Sequence, residues 1–175
     1  MGTNYFILLT IVYIFGSIPF AYIVPKFFGM GDIRELGSGN VGATNVLRTG
    51  NKALAIVVLV FDIIKGFVPL IILKNYYHND ISEFIIVLIG SVAILGHIFP
   101  IWLKFKGGKG VATYIGFLFA INYIFGIFYI ITWLLIALLK KYSSLASITS
   151  LVLLPFFVMI FSYEKNLIYL LILIN

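Results

Sequence analysis

Long stretches without a charged side chain restrict the fold of this chain more than any other feature. Residues 2–25 and 145–163 contain no Asp, Glu, Lys or Arg, and the uncharged run at 111–139 is longer still. A helix needs about 20 apolar residues to cross the roughly 30 Å hydrocarbon core of a bilayer. Since 62% of the 175 residues are hydrophobic and 10% are charged, a globule of this size could not bury its apolar surface. The sequence therefore predicts an all-α polytopic membrane protein and excludes a soluble enzyme or a disordered chain.

Cysteine and charge counts narrow the function classes further. The chain has no cysteine, which excludes a disulfide scaffold, a thiolate nucleophile and a cysteine–zinc site. No basic residue precedes the first apolar stretch, since the first charged side chain is Lys26. This is typical of a transmembrane helix rather than a cleaved secretion signal. The net charge of +6 indicates basic cytoplasmic loops rather than nucleic-acid binding.

We predict seven membrane crossings within a single domain, residues 1–175. As one helix, residues 111–139 would measure about 44 Å, so we expect two helices there, with a turn near Asn122 and Tyr123. The predicted spans are residues 2–25, 53–73, 84–103, the two halves of 111–139, 145–163 and 167–175.

The basic residues cluster in three loops between these spans. The positive-inside rule places such loops in the cytoplasm and the N-terminus outside. An even number of crossings must then separate the second loop from the third, which supports dividing residues 111–139. The clustered residues are Lys26, Arg34, Arg48 and Lys52 in loop one, Lys104, Lys106 and Lys109 in loop two, and Lys140 and Lys141 in loop three.

Loops one and two combine these cations with glycines. Glycine-rich turns that lead into helices expose backbone N–H groups to anions, and Lys or Arg side chains add charge. One such loop, residues 104–110, could also be a flexible basic hairpin, but two on one face favour a phosphate-bearing ligand. Residues 37–42 match the dinucleotide fingerprint G-x-G-x-x-G, and Asp62 follows twenty residues later. That fingerprint requires a strand and a βαβ unit, so we reject it beside a membrane span.

Three ionisable residues fall within the predicted spans. Asp62 and Lys65 share a helix face and can pair. Because intramembrane charges face a polar cavity or a partner, substrate binding and a structural ion pair both remain open for them. His97 lies near the end of the third span, before Pro100. It could hydrogen-bond a neighbouring helix, but beside a phosphate-binding loop it is the natural candidate for proton transfer.

Five strings of residues follow one another in order between about residue 16 and residue 148. They are Gly16-Ser17-Ile18-Pro19-Phe20, residues 38–45 with Arg48, Asp62 with Lys65-Gly66, His97-Ile98-Phe99-Pro100 with residues 106–113, and Ser144-Leu145-Ala146-Ser147. Together they resemble the bacterial acyl-phosphate:glycerol-3-phosphate acyltransferases, the integral-membrane PlsY family.

The resemblance implies a seven-helix fold in the bacterial cell membrane, with the N-terminus outside and the active site facing the cytoplasm. It implies transfer of a fatty acyl group from acyl phosphate to the 1-hydroxyl of glycerol 3-phosphate, the first acylation step of phospholipid biosynthesis. The products would be lysophosphatidic acid and inorganic phosphate. Acyl phosphate, glycerol 3-phosphate and membrane lipids are the expected partners, with no nucleic acid, metal or other cofactor, and the oligomeric state stays open.

The same resemblance implies which residues form the site. Loop two would hold a phosphate with the help of Arg48, and His97 would lie in the catalytic centre. The residues expected to be catalytic are Ser38, Arg48, His97 and Lys106. The residues expected to bind substrate are Asn40, Gly42, Thr44, Asn45, Asp62, Lys65, Lys104, Gly107, Gly108, Lys109, Gly110, Ser144 and Ser147.

For the mechanism we expect direct attack by the substrate hydroxyl on acyl phosphate, with lysines and backbone donors stabilising the oxyanion. His97 and the phosphate of glycerol 3-phosphate are both candidate bases, whereas a covalent acyl-serine at Ser38 would need an adjacent base. The family continues past its last helix into a short polar, basic tail, but this sequence ends at Leu173-Ile174-Asn175. We therefore expect any contact from that tail to be missing.

Alternatives from other classes fit less well. A small-anion or phosphate-ester transporter would also place charges inside the membrane, but it would usually show an inverted repeat, and we find none in the sequence. A membrane-organising protein would not need glycine- and lysine-bearing loops on one face. The soluble-type glycerolipid acyltransferases use H-x4-D, which neither histidine satisfies because Trp102 and Glu83 stand at the aspartate positions.

Overall fold

The computed structural model describes residues 4–77 and 79–161, which form eight α-helices and two 3₁₀ turns. The helices are α1 (Tyr5–Gly16), α2 (Phe20–Phe27), α3 (Ala43–Arg48), α4 (Lys52–Tyr77), α5 (Glu83–Ile98), α6 (Val111–Ile121), α7 (Tyr123–Lys140) and α8 (Ser143–Phe161). The turns are Ile33–Glu35 in loop one and Ile101–Leu103 in loop two. Within these ranges there is no strand, which confirms the all-α prediction.

Five helical segments are long and apolar enough to cross a membrane. They are Tyr5–Phe27, Lys52–Tyr77, Glu83–Leu103, Tyr123–Lys140 and Ser143–Phe161, and α6 is a shorter apolar helix. Many large apolar side chains on these helices are exposed, such as Phe6 and Leu138, as expected for helices that face lipid rather than water. The multi-pass prediction is confirmed, and the seventh predicted span, residues 167–175, lies outside the described residues.

The first span is broken, although the sequence predicts one helix over residues 2–25. Helix α1 ends at Gly16 and α2 begins at Phe20. Pro19 has no N–H and its ring disfavours a continuing helix, which is the physical reason for the break. At the break, the carbonyl of Ile18 accepts a hydrogen bond from Lys65 Nζ in α4 at 2.9 Å, in addition to one from the N–H of Phe20 at 3.1 Å.

The long uncharged run is divided at Asn122, as predicted. Helix α6 ends at Ile121 and α7 begins at Tyr123, with Asn122 in an extended conformation between them. The side-chain Oδ1 of Asn122 accepts a hydrogen bond from the N–H of Ile124 at 2.9 Å. This is an N-terminal cap for α7, so the asparagine both ends one helix and starts the next.

Helices α4 and α6 are in backbone contact through two glycines. A Cβ atom on Gly66 would lie 1.9 Å from the carbonyl oxygen of Thr113, and one on Gly116 would lie 2.0 Å from that of Ile63. No side chain fits at either position, so the two helices form one rigid wall. Helices α7 and α8 pack against each other and form the facing wall of the cavity described below.

Candidate active site

A cavity of about 570 Å³ opens at the end of the bundle where the three basic loops meet. Its walls are aliphatic and come from α4, α6 and α7, while its mouth is formed by residues of the loops and the first turns of α4, α6 and α8. The larger aliphatic side chains along the walls include Ile56, Leu59, Ile63, Ile115, Ile130 and Leu134. Because loops one and two and the start of α8 border one cavity, they lie on one side of the bundle, as the positive-inside argument requires.

Most of the predicted site residues line this cavity. Those at its surface are Ser38, Asn40, Gly42, Thr44, Asn45, Arg48, Asp62, His97, Lys109, Gly110, Ser144 and Ser147. Those outside its lining are Lys65, Lys104, Lys106, Gly107 and Gly108. The lining also includes residues that were not predicted, among them Lys52 at the start of α4 and Trp133 in α7.

The cations at the mouth of the cavity are Arg48, Lys52 and Lys109. They come from the last turn of α3, the first residue of α4 and the residue before Gly110, respectively. The one carboxylate among the lining residues, Asp62, is engaged by a buried lysine. The mouth therefore carries excess positive charge, which suits a phosphate or other anion.

Arg34 does not add to this charge, although it belongs to the same loop. Its Nε lies 2.9 Å and 3.1 Å from the two carboxylate oxygens of Asp32, and Nη2 makes a further contact with the same group. These hydrogen bonds lower the pKa of Asp32 to about 2, so the carboxylate stays ionised and neutralises the guanidinium. The cationic groups of Arg34 and Lys26 each lie about 5 Å from the centroid of the Tyr22 ring. This cluster braces loop one at the surface.

Asp62 and Lys65 form the ion pair that their spacing predicts. The Lys65 Nζ lies 2.7 Å from Asp62 Oδ1, and both side chains are almost completely buried. Lys65 also donates to Ile18 O, so its ammonium group is held inside the protein and not at the cavity surface. This geometry favours the structural interpretation for Lys65, while Asp62 touches both the pair and the cavity.

His97 lies beside Asp62, at the end of α5. Its Nδ1 is 3.6 Å from Asp62 Oδ1, and the imidazole is 7% exposed where it meets the cavity. Loop two folds back over this ring, because the N–H of Gly108 donates to the carbonyl of His97 at 3.2 Å. A Cβ on Gly108 would lie 2.2 Å from His97 Nε2. The predicted phosphate-binding Gly108 is therefore required here for close approach to the histidine.

The tip of loop two points away from the cavity. Lys104 and Phe105 both have left-handed backbone conformations, with φ of 53° and 61°, which is costly for residues other than glycine. Trp102 Nε1 donates to Ser17 Oγ at 2.9 Å and anchors the loop to the break in the first span. As a result Lys104 and Lys106 are exposed, whereas Lys109 reaches the cavity.

The third loop contributes serines, one of which, Ser147, is held by an unpredicted tryptophan. Ser147 Oγ donates to the carbonyl of Ser143 at 2.9 Å and accepts from Trp133 Nε1 at 3.1 Å. Ser144 lines the cavity and is exposed. A lone tryptophan in an apolar run gives no sequence signal of such a contact, because the partner lies in the next helix.

No group of three His, Asp or Glu side chains is arranged as metal ligands in residues 4–77 and 79–161.

Known proteins resemble this chain over nearly its whole length. A family described as glycerol-3-phosphate acyltransferase matches residues 6–175. The glycerol-3-phosphate acyltransferase of Pelagibacter ubique is 47% identical over 165 residues, which are 94% of this chain and 83% of that protein. The one from Erythrobacter litoralis is 50% identical over 140 residues, covering 80% of this chain and 68% of the relative.

Solved structures agree with the sequence relatives. The crystal structure of PlsY (YgiH), an integral membrane glycerol 3-phosphate acyltransferase, in its glycerol 3-phosphate form has a TM-score of 0.88 at 38% identity. The match covers 98% of this chain and 84% of that one. The lysophosphatidic acid form gives a TM-score of 0.87 at 37% identity, with the same coverage of both chains. Sequence, fold and cavity together establish that the chain belongs to the glycerol-3-phosphate acyltransferase family.

Proposed function

We propose that this protein transfers a fatty acyl group from acyl phosphate to the 1-hydroxyl of glycerol 3-phosphate, at the cytoplasmic face of the bacterial cell membrane. The products are lysophosphatidic acid and inorganic phosphate. The observation that carries the proposal is a single cavity with cations at its loop end and aliphatic side chains along its walls. A lipid-soluble donor and a water-soluble phosphate ester can meet in such a space.

The two ends of the cavity match the two kinds of substrate. Arg48, Lys52 and Lys109 supply positive charge for phosphate groups, and Arg48 can form two parallel hydrogen bonds to one phosphate. Leu59, Ile115 and neighbouring side chains offer the apolar surface that an acyl chain requires. The glycerol 3-phosphate and lysophosphatidic acid forms of the related PlsY structure support this acceptor and this product.

Direct transfer needs no covalent enzyme intermediate. The 1-oxygen of glycerol 3-phosphate forms a bond to the acyl carbonyl carbon, and the bond from that carbon to the phosphate oxygen breaks. The electron pair of the broken bond leaves with inorganic phosphate, and the hydroxyl proton passes to a base. Lys109, Arg48 and backbone N–H groups of the loops stabilise the oxyanion and the departing phosphate by their fixed positions.

The surroundings of Ser38 support direct transfer over an acyl-serine. Its hydroxyl donates to the amide oxygen of Asn45 at 3.1 Å, and an amide cannot remove a proton to create a nucleophile. The base is therefore one that takes the proton of the substrate hydroxyl. His97 at the cavity surface and the phosphate of glycerol 3-phosphate are the two candidates for this role.

The assay of purified protein with two donors tests the proposal. The chain in detergent is incubated with glycerol 3-phosphate and either acyl phosphate or acyl-coenzyme A, and the lipid product is identified by mass spectrometry. We expect lysophosphatidic acid from acyl phosphate only. Product from acyl-coenzyme A alone would overturn the donor. Uptake of glycerol 3-phosphate into proteoliposomes without acyl transfer would favour the transporter alternative instead.

A further inference from the structure

The side chain of Asn45 has every hydrogen-bonding position occupied by the protein itself. Its Oδ1 accepts from the N–H of Ser38 at 2.8 Å and from the hydroxyl of Ser38 at 3.1 Å. Its Nδ2 donates to the carbonyls of Ile33 and Leu36, both at 3.0 Å. An asparagine amide offers two acceptor positions and two donors, so none is left for a ligand.

These partners also fix which way the amide faces. The reversed orientation would place an NH₂ group against the N–H of Ser38 and an oxygen against two carbonyl oxygens. Each of these contacts would be repulsive, so only one orientation is compatible with the network. Asn45 is 1% exposed, and displacing it would remove one hydrogen bond from each of the carbonyls of Ile33 and Leu36.

The backbone conformation just before Ser38 allows this residue to approach the Asn45 amide closely. Gly37 precedes the serine with a φ of 56°, and a Cβ at that position would lie 2.4 Å from Asn45 Oδ1. Glycine therefore allows the turn and the close approach together. Asn45 itself is buried in the first turn of α3, next to the buried Val46, while Ser38 is exposed at the cavity.

We propose that Asn45 is a positioning residue that acts through Ser38. Since the single hydroxyl proton of Ser38 is directed at Asn45 Oδ1, the lone pairs of Ser38 Oγ remain available toward the cavity. Ser38 then accepts a hydrogen bond from the attacking hydroxyl of glycerol 3-phosphate and orients it, and it does not donate to a phosphate. This role differs from the substrate contact that the resemblance implies for Asn45, and it rests on the proposed function.

The first test separates positioning from substrate binding by kinetics. Asn45→Ala should lower kcat by about 10- to 100-fold, because a misplaced reacting group costs rate, and should change the KM for glycerol 3-phosphate by less than about threefold. The side chain of Asn40 is half-buried at the cavity surface. Asn40→Ala should instead raise that KM. Asn51→Ala removes an exposed side chain whose Oδ1 accepts from the N–H of Leu54, and it should leave both constants unchanged.

A second variant keeps the test decisive if Asn45→Ala does not fold. Asn45→Asp retains the oxygen that accepts from Ser38 but places its other oxygen against two carbonyls. Burial and these carbonyls raise the pKa of the new carboxyl, and only its protonated form can donate to one of them. The activity of Asn45→Asp relative to wild type should therefore rise about tenfold or more from about pH 8 to about pH 6. Arg34 and Arg48 stay charged throughout this range.

The outcomes are distinguishable from failure of the proposed function. Wild-type protein without acyl transfer would refute the proposed function and not the role of Asn45. With an active wild type, a raised KM at unchanged kcat in Asn45→Ala would identify a substrate contact and overturn the inference. Wild-type kinetics in Asn45→Ala, or an activity ratio of Asn45→Asp that is flat with pH, would overturn it as well.

Discussion

The carboxylate Oδ1 of Asp62 lies 3.6 Å from Nδ1 of His97, between two helical segments that are long and apolar enough to cross a membrane. The same oxygen is 2.7 Å from Nζ of Lys65, and Lys65 also donates to the carbonyl of Ile18 at the break in the first span. The first span, α4 and the end of α5 are thereby joined through one chain of polar contacts. Of the residues in these polar contacts, His97 and Asp62 line the cavity.

Removal of His97 should abolish most of the acyl transfer. If it transfers the proton of the attacking hydroxyl, His97→Ala should lower kcat by about 10²- to 10⁴-fold. Asp62→Asn, which keeps the shape but removes the charge beside Nδ1, should lower kcat less. The measurement is the initial rate of lysophosphatidic acid formation by purified variants that still insert and remain monodisperse. Near-normal activity of His97→Ala would assign the proton to the substrate phosphate.

The buried ion pair should show strong coupling in stability. Asp62→Ala leaves the ammonium of Lys65 without its counter-charge, which we expect to cost about 3–5 kcal/mol. Replacing both charges, as in Asp62→Asn with Lys65→Met, should cost less than the single change because no unpaired charge remains. Apparent unfolding temperatures in detergent test this comparison. A double variant less stable than Asp62→Ala would contradict the structural role of the pair.

Lys106 and Lys109 of loop two provide a matched comparison. Lys109 lines the cavity, whereas Lys106 is exposed outside it, although the resemblance implies a catalytic role for Lys106. Lys109→Ala should raise the KM for glycerol 3-phosphate or lower kcat by about tenfold or more, the loss expected for a charge-assisted hydrogen bond. Lys106→Ala should have a smaller effect on both constants. A larger loss in Lys106→Ala would indicate that loop two rearranges to bring that lysine to the phosphate.

Part of the fold and of the site can be predicted from local sequence patterns. Uncharged runs and Asn122 were sufficient for the spans and their division, because helix length and capping are local properties. The pairing of Asp62 with Lys65 followed from their spacing alone. Local rules failed at Pro19, which was not recognised as a break in the first span.

The arrangement of loop two was beyond prediction because it depends on distant contacts. The left-handed residues Lys104 and Phe105 and the anchor from Trp102 to Ser17 decide which lysine reaches the cavity. Lys52 joins the site because the cavity passes the first turn of α4. Such proximity between separate elements leaves no pattern in a single sequence.

The orientation of the protein in the membrane can be measured by labelling introduced cysteines, since the chain has no cysteine of its own. The exposed residues Lys141 and Asn79 lie at opposite ends of the bundle, after α7 and after α4. A membrane-impermeant maleimide applied to intact cells should label Asn79→Cys and should label Lys141→Cys only after permeabilisation. This follows from the excess of basic residues at the cavity end. The reverse pattern would place the cavity outside the cytoplasm.

The most direct test of the central claim is the stoichiometry of the reaction catalysed by the purified chain. Acyl phosphate is supplied with and without glycerol 3-phosphate, and inorganic phosphate and lysophosphatidic acid are measured together. We predict one phosphate released for each lysophosphatidic acid formed, and no phosphate release above background when glycerol 3-phosphate is omitted. Phosphate release without the acceptor, or without formation of lysophosphatidic acid, would contradict direct acyl transfer in this cavity.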